Sequence, residues 1–315
     1  MKRAARIHGD VSSTWARAAL SHCAFHGLPP TILSALIIEL APRYDAVRES
    51  RLRQARGRDR LRAAGAGRPA TLVFTDAVLV TLAYLRLGLS QRALGVLVDV
   101  DQSTVSRAIC ILRPLLATRG FAPPTGPRLR TLADVLAYAN TTGFDLCLDG
   151  TDITVRRPTA TRGGRRAFIN GKKRRHTIKT TIICDQAGRL LWAGATRPGR
   201  MHDQTAIKTE GLDNLLHHYP RVRIWADQAY RGLSKHHPGQ IITKQPAPVD
   251  TCPPELAQHL IAIRKLHSQQ RIPVEHVIGR LKTWKQLAHW NGPRTNLPET
   301  ITAIAGLAAD ITTHQ

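Results

Sequence analysis

No run of apolar residues in this chain approaches the roughly 20 that a membrane-spanning helix needs. The longest candidate, Thr31 to Leu40 (TILSALIIEL), is short and carries Glu39. The opening residues, MKRAARIHGDVSS, are basic but lead into no apolar core. No secretory signal is therefore expected, and the chain should stay in the cytoplasm, associated with the nucleoid. Cysteine is sparse: Cys23, Cys110, Cys147, Cys184 and Cys252 are scattered, odd in number and form no C-x-x-C pair. That disfavours a disulfide framework and a cysteine-based zinc site. The 14 histidines include the adjacent pairs His217-His218 and His236-His237 but no H-E-x-x-H, which argues against a zinc hydrolase. Neither a repeat of fixed period nor a coiled-coil heptad is present. Acidic residues are also few, and this shortage is the most informative.

Asp and Glu number 22 against 46 Lys and Arg, a formal net charge of +24. A chain so basic repels itself unless it meets a polyanion, and nucleic acid is the usual one. A secreted cationic protein or a ribosome-associated one would share this charge. The missing signal speaks against the first, and the length and motifs against the second. With 315 residues, 43% of them hydrophobic, the chain can form more than one folding unit.

Residues 1–66 read as a helical region, with Leu33, Leu36, Ile37 and Leu40 on one face. The Gly- and Pro-containing AAGAGRPA (63–70) breaks that pattern. Residues 67–120 then read as three helices, capped by Thr75, Ser90 and Asp101. In the third, Val105, Ile109 and Leu112 form a buried stripe, while Gln102, Ser103, Thr104, Ser106 and Arg107 lie off it near the helix start. A short turn with polar side chains opening the second helix of a pair is the helix-turn-helix arrangement, which sets that helix start against base edges. An ordinary three-helix bundle has the same periodicity. The excess positive charge favours DNA contact through these five residues.

The Pro-rich FAPPTGPRLRT opens a linker and helix at 121–140, and from 141 to 315 strands alternate with helices. FDLCLD (144–149) reads as a strand ending at Asp149 before Gly150, and RVRIWA (221–226) as another running into Asp227. If the two strands are neighbours, these carboxylates face each other. A divalent cation would relieve their repulsion, and oxygen ligands suit Mg²⁺. Gln270 to Leu287 reads as a helix with Pro273 in its first turn, an apolar face of Val274, Val277, Ile278 and Leu281, and Glu275 and Lys282 sharing another face. HTIKTTIICD (176–185) and LLWAGAT (190–196) read as further strands, and Asp203 to His218 as one helix capped by Asp203. The basic segment before them, with Lys172, Lys173, Arg174 and Arg175, reads as a hairpin that grips phosphates. Tyr230 is read as packing beneath Asp227.

Five signatures in order carry a resemblance: LDGTDI (148–153), GKKRRHTIK (171–179), PGRMHD (198–203), ADQAYRG (226–232) and RIPVEHVIGRLK (271–282). The chain resembles the DDE transposases of the Harbinger and related bacterial insertion-sequence group. The interval of 48 between Asp227 and Glu275 is close to that family's usual spacing. Ala226, Gln228 and Met201 depart from its common residues. The resemblance implies an α/β, ribonuclease-H-like catalytic domain at 141–315, a mixed five-stranded sheet flanked by helices, preceded by the all-α helix-turn-helix region. It also implies that Asp149, Asp227 and Glu275 are the catalytic and metal-binding residues, holding two Mg²⁺ or Mn²⁺ ions for DNA cleavage and strand transfer. Lys172, Lys173, Arg174, Arg175, Lys179 and Lys282 would hold phosphates. The implied partners are double-stranded DNA, both terminal inverted repeats and target, and further copies of the chain on paired ends. A catalytically inactive or domesticated DNA-binding derivative is the alternative, although a regulator has no need of three carboxylates.

Overall fold

Apolar residues recur at helical spacing through the first third of the chain. The computed structural model describes the helices they form and the rest of the chain, except residues 1–13, 62–69, 159–163, 172, 250–251 and 314–315. The chain divides into two units, Met1–Thr118 with Trp284–Gln286, and Arg119–Thr283 with Leu287–Gln315.

In the first unit, α1 (Pro30–Arg56), α2 (Phe74–Leu87), α3 (Gln91–Leu97) and α4 (Gln102–Ala117) follow one another. The central α2 buries Ala77, Val78, Val80, Leu82, Ala83 and Leu85 and packs on α1 and α4. It starts earlier than expected: Val73 holds the N-cap position and Thr75 lies inside. Phe74 and Thr75 both fall inside the helix, and the Phe74 ring lies 5.0 Å from that of Tyr44 on α1. Ser90 caps α3, accepting a hydrogen bond from the Ala93 N–H at 3.1 Å. Asp101 occupies the N-cap position of α4, but its side chain makes no capping bond. Val105, Ile109 and Leu112 are buried, and α3, a short turn and α4 form a helix-turn-helix.

That turn depends on a glycine. The Val100 N–H donates to the Gly95 carbonyl at 2.9 Å, and a Cβ on Gly95 would lie 2.6 Å from the Val100 carbonyl oxygen. No side chain fits there without moving backbone. Gly95→Ala is therefore expected to destabilise the protein by about 1–3 kcal/mol, the usual range for overpacking, as read by thermal unfolding. An unchanged melting temperature would show that the turn can open freely.

The second unit begins with residues expected to link. Phe121 and Leu129 are both buried and pair in an antiparallel bridge, so this segment is part of the fold. It leads to α5 (Leu132–Thr142), opened by reciprocal bonds between Thr131 and Asp134. The sheet follows, with β1 (Leu146–Val155), β2 (Thr177–Asp185), β3 (Leu190–Ala193), β4 (Ile224–Ala226) and β5 (Ile241–Thr243) in the order β3-β2-β1-β4-β5. The β1–β2 and β2–β3 pairs are antiparallel, and β1–β4 and β4–β5 are parallel. This is the ribonuclease-H-like arrangement. Two-residue strands at Arg197–Pro198 on β2 and His289–Trp290 on β1 extend the sheet to seven, where five were expected.

Every residue of β2 is buried, as a strand covered on both faces requires. On one side α9 (Pro254–Lys282) sets Val274, Val277 and Leu281 against β1 and β2, while α10 (Leu297–Thr313) packs on β3. Asp310 on α10 lies between Arg119, at 2.6 Å, and Arg128.

Three sequence expectations are corrected here. First, β1 does not end at Asp149. Its pairing with β2 runs unbroken from Leu146↔Asp185 to Thr154↔Thr177, so Asp149 and Gly150 sit mid-strand. Second, the helix expected over Asp203 to His218 is two, α6 (Asp203–Lys208) and α7 (Leu212–His218). They are separated at Gly211, whose φ of 82° is left-handed and cannot continue a helix. Third, α9 begins at Pro254, and Pro273 lies in its interior. A proline there costs one helical hydrogen bond, roughly 3 kcal/mol in an isolated helix, which the packing of Val274, Val277 and Leu281 offsets. Pro254 is the proline that stands at the helix start.

Candidate active site

The parallel register Leu146↔Ile224, Cys147↔Trp225, Leu148↔Ala226 ends where β4 ends. Asp149 and Asp227 are the residues that follow the last paired positions of the two segments. A turn of 3₁₀ helix (Gln228–Tyr230) stops β4 ahead of α8 (Arg231–His236), and the Asp227 carboxylate caps that turn, accepting from the Gln228 N–H at 2.6 Å. Beneath it, the buried His267 ring on α9 straps the strand ends, with Nε2 3.1 Å from the Ala226 carbonyl and 3.2 Å from that of Ile242. Burial lowers the pKa of this imidazole, which favours the neutral ring.

A single cation joins the three expected carboxylates. Arg271 lies one turn before Glu275 on α9. Its Nη2 is 2.8 Å from Asp149 Oδ2, and its Nη1 is 3.7 Å from Asp227 Oδ1 and 3.9 Å from Glu275 Oε1. The guanidinium is mostly buried, and its Nε has no hydrogen-bond partner. The side chains grow more exposed in the order Asp149 (24%), Asp227 (47%) and Glu275 (61%). Burial raises the pKa of Asp149 to about 6, against the pull of Arg271 and of the Gly150 N–H, with Asp227 and Asp203 adding to the rise.

Sequence reasoning missed Arg271, although an i, i+4 pairing with Glu275 would have marked it. Arg271 lies inside the expected helix over Gln270 to Leu287, but within a basic chain its charge is not singled out from the other Lys and Arg residues. Asp203 was also misjudged. His202, not Asp203, caps α6, its ring accepting from the Gln204 N–H. Asp203 is thereby released to bind the Lys179 ammonium at 2.6 Å.

The residues expected to hold DNA fall into three groups. On α4, Gln102, Ser103 and Arg107 are exposed and Thr104 and Ser106 half-buried; the Arg107 guanidinium donates to the Ser103 carbonyl and hydroxyl at 3.1 and 3.0 Å. Lys173, Arg174 and Arg175 are exposed at the tip of a hairpin closed by the Ile169↔His176 bridge. Lys172 lies outside the described residues. Lys179 and Lys282 differ, because both turn inward. Lys179 is buried against Asp203. Lys282 donates to the Asp152 carbonyl and, at 3.0 Å, to that of Leu287, and its burial, with Lys173 nearby, lowers its pKa to about 8. Among the described residues, no three His, Cys, Asp or Glu side chains stand close enough to grip a metal ion as arranged. No described helix is long and apolar enough to cross a membrane.

Comparison with known proteins places the chain in a family. Residues 71–122 match the helix-turn-helix of DDE superfamily endonuclease. A protein named as a probable transposase for insertion sequence element IS702, from Microchaete diplosiphon, is 26% identical over 71% of this chain and 75% of its own length. One named as a transposase for insertion sequence element IS112, from Streptomyces albus G, is 28% identical over 70% and 73%. The protein named as the nuclease HARBI1 of Xenopus laevis is 24% identical over 49% and 45%. Residues 148–309, which hold all three carboxylates and Arg271, match the model of the DDE superfamily endonuclease, and the chain belongs to that family.

Proposed function

We propose that this protein is a transposase. It binds element-end DNA through its helix-turn-helix and cuts and rejoins strands with divalent cations held by Asp149, Asp227 and Glu275. The observation that supports this reading most is the meeting of the three carboxylates, from mid-β1, the end of β4 and α9, on one cationic group. A guanidinium is the cation present, and the groups that accept from it or pair with it are carboxylate oxygens, the ligand type that Mg²⁺ and Mn²⁺ prefer. Nitrogen-to-oxygen distances of 2.8–3.9 Å are wider than metal–oxygen contacts of about 2.1 Å. Divalent ions held by these carboxylates would take the place of the Arg271 guanidinium.

Bound there, a pair of divalent ions would supply Lewis-acid activation of a nucleophile and stabilisation of a leaving oxygen. The protein's part is to position. Asp149, held by the β1 ladder, together with Asp227 and Glu275 would hold the ions. The exposed Lys173, Arg174 and Arg175 would neutralise DNA phosphates. Exposed α4 residues would read the element ends, Arg107 exchanging its Ser103 bonds for base or phosphate contacts. Water is the first attacking group and cuts the strand, leaving a 3′-hydroxyl. That hydroxyl then attacks a target phosphodiester, forming one bond as another breaks.

The test is incubation with DNA carrying the inverted repeats that flank this reading frame, in Mg²⁺, in Mn²⁺ and in EDTA. Cleavage at the repeat ends in either metal, abolished by EDTA, is the expected result. Tight binding without cleavage in any divalent ion would replace the enzyme reading with that of a DNA-binding derivative.

A further inference from the structure

The strand β1 carries an acidic feature on its other flank. Asp203 Oδ1 approaches Gly150 so closely that a Cβ there would sit 2.6 Å from it. The same point lies 3.7 Å from the Tyr230 hydroxyl. Tyr230 is fully buried, and its hydroxyl has no hydrogen-bond partner. A buried phenol without a partner costs about 1–3 kcal/mol, so its place beside a carboxylate points to something that the hydroxyl is built to meet. Burial above all, and then the neighbours Asp203, Asp149 and Asp227, keep that hydroxyl protonated, a donor. Lys179, itself buried, supplies the only described ammonium paired with Asp203.

Asp149 and Gly150 are consecutive, so the acidic groups flank one stretch of β1, each neutralised by an internal base: Arg271 for Asp149, Asp227 and Glu275, Lys179 for Asp203. We propose that Asp203 is a fourth acidic residue of the divalent-cation centre, and that the Lys179 ammonium holds the place of a cation on the Gly150 side of β1. The Tyr230 hydroxyl then donates to water carried by that cation, since Mg²⁺ keeps several of its waters. This inference rests on the metal-dependent reading above and adds a residue to it.

Calorimetric titration of Mn²⁺ into the metal-free full-length protein separates the possibilities. Asp203→Asn is expected to weaken Mn²⁺ binding by about tenfold or more. Lys179→Met, which removes the competing charge, is expected to tighten it. A purely structural ion pair would lower the melting temperature in both variants and leave Mn²⁺ affinity unmoved, which would overturn the proposal. Should Asp203→Asn fail to fold by circular dichroism, Lys179→Met decides alone: tighter binding supports the assignment, and unchanged or weaker binding overturns it. Asp149→Asn is the control on the parent reading. If it leaves Mn²⁺ binding intact, that reading falls and this one with it. If it abolishes binding while the other two variants match wild type, only the fourth carboxylate is lost.

Discussion

Asp149→Asn is expected to lower DNA strand cleavage by roughly 10³-fold or more, the scale of removing a principal charge-stabilising group from a reaction centre, with DNA binding retained. Asn has the shape of Asp, so the β1 ladder and its neighbours need not move. What disappears is the negative charge that Arg271 meets at 2.8 Å and that divalent ions would share. The comparison is single-turnover cleavage of end-containing DNA beside a gel-shift affinity. Cleavage at wild-type rates would remove Asp149 from the reaction.

The same variant carries a stability signature. The carboxyl titrates near 6 in the fold instead of near 3.8, so the folded state binds this proton more tightly than the unfolded chain. Its favourable contribution is complete below about 3.8 and is lost as the pH rises through about 6. In EDTA, the wild-type protein should therefore gain about 2–3 kcal/mol from this group on going from neutral pH to well below its folded pKa. The difference between wild type and Asp149→Asn in urea unfolding isolates it from other titrations. A pH-independent difference would show that the carboxyl is solvated.

Asp310→Ala is expected to cost about 3–5 kcal/mol, the range for removing one member of a buried ion pair. Only 4% of the Asp310 side chain is exposed, against 5% for Arg119 and 28% for Arg128. The carboxylate closes an interaction between the first and last segments of its unit, 191 positions apart for Arg119. Truncation withdraws a counter-charge from two guanidiniums, one of them deeply buried. Asp310→Asn should recover part of the loss, since an amide oxygen still accepts but carries no charge. A shift of the urea midpoint equivalent to less than about 1 kcal/mol would mean that solvent reaches the cluster and screens it.

Much of this architecture is legible in the residues themselves. Helical periodicity at Val105, Ile109 and Leu112 and strand character at Phe144 to Leu148 and Arg221 to Ala226 suffice to order the elements. The neighbouring placement of Asp149 and Asp227 follows once β1 and β4 are known to pair. Local signals misled wherever tertiary structure overrode them. The Asp149-Gly150 pair has turn chemistry, yet β2 holds it in a ladder. Pro273 looks like a helix start, yet packing on β1 and β2 carries the helix through it. Gly211 divides what periodicity joins. Charge proved the hardest property to place, because a lysine in a basic run has the same letter whether it faces solvent, as Lys173 does, or turns inward onto a carboxylate or carbonyl, as Lys179 and Lys282 do.

The unbroken β1 ladder gives the three carboxylates backbones of different stiffness. Asp149 is pinned on a strand hydrogen-bonded along its whole length to β2, so its backbone is the fixed anvil of the site. Asp227 sits where a strand gives way to a single tight turn, and Glu275 projects from the flank of a long helix with most of its side chain in solvent. Compliance is graded from rigid to loose across the triad. On the proposed function, any readjustment between cutting one strand and joining another would fall to the helix-borne glutamate.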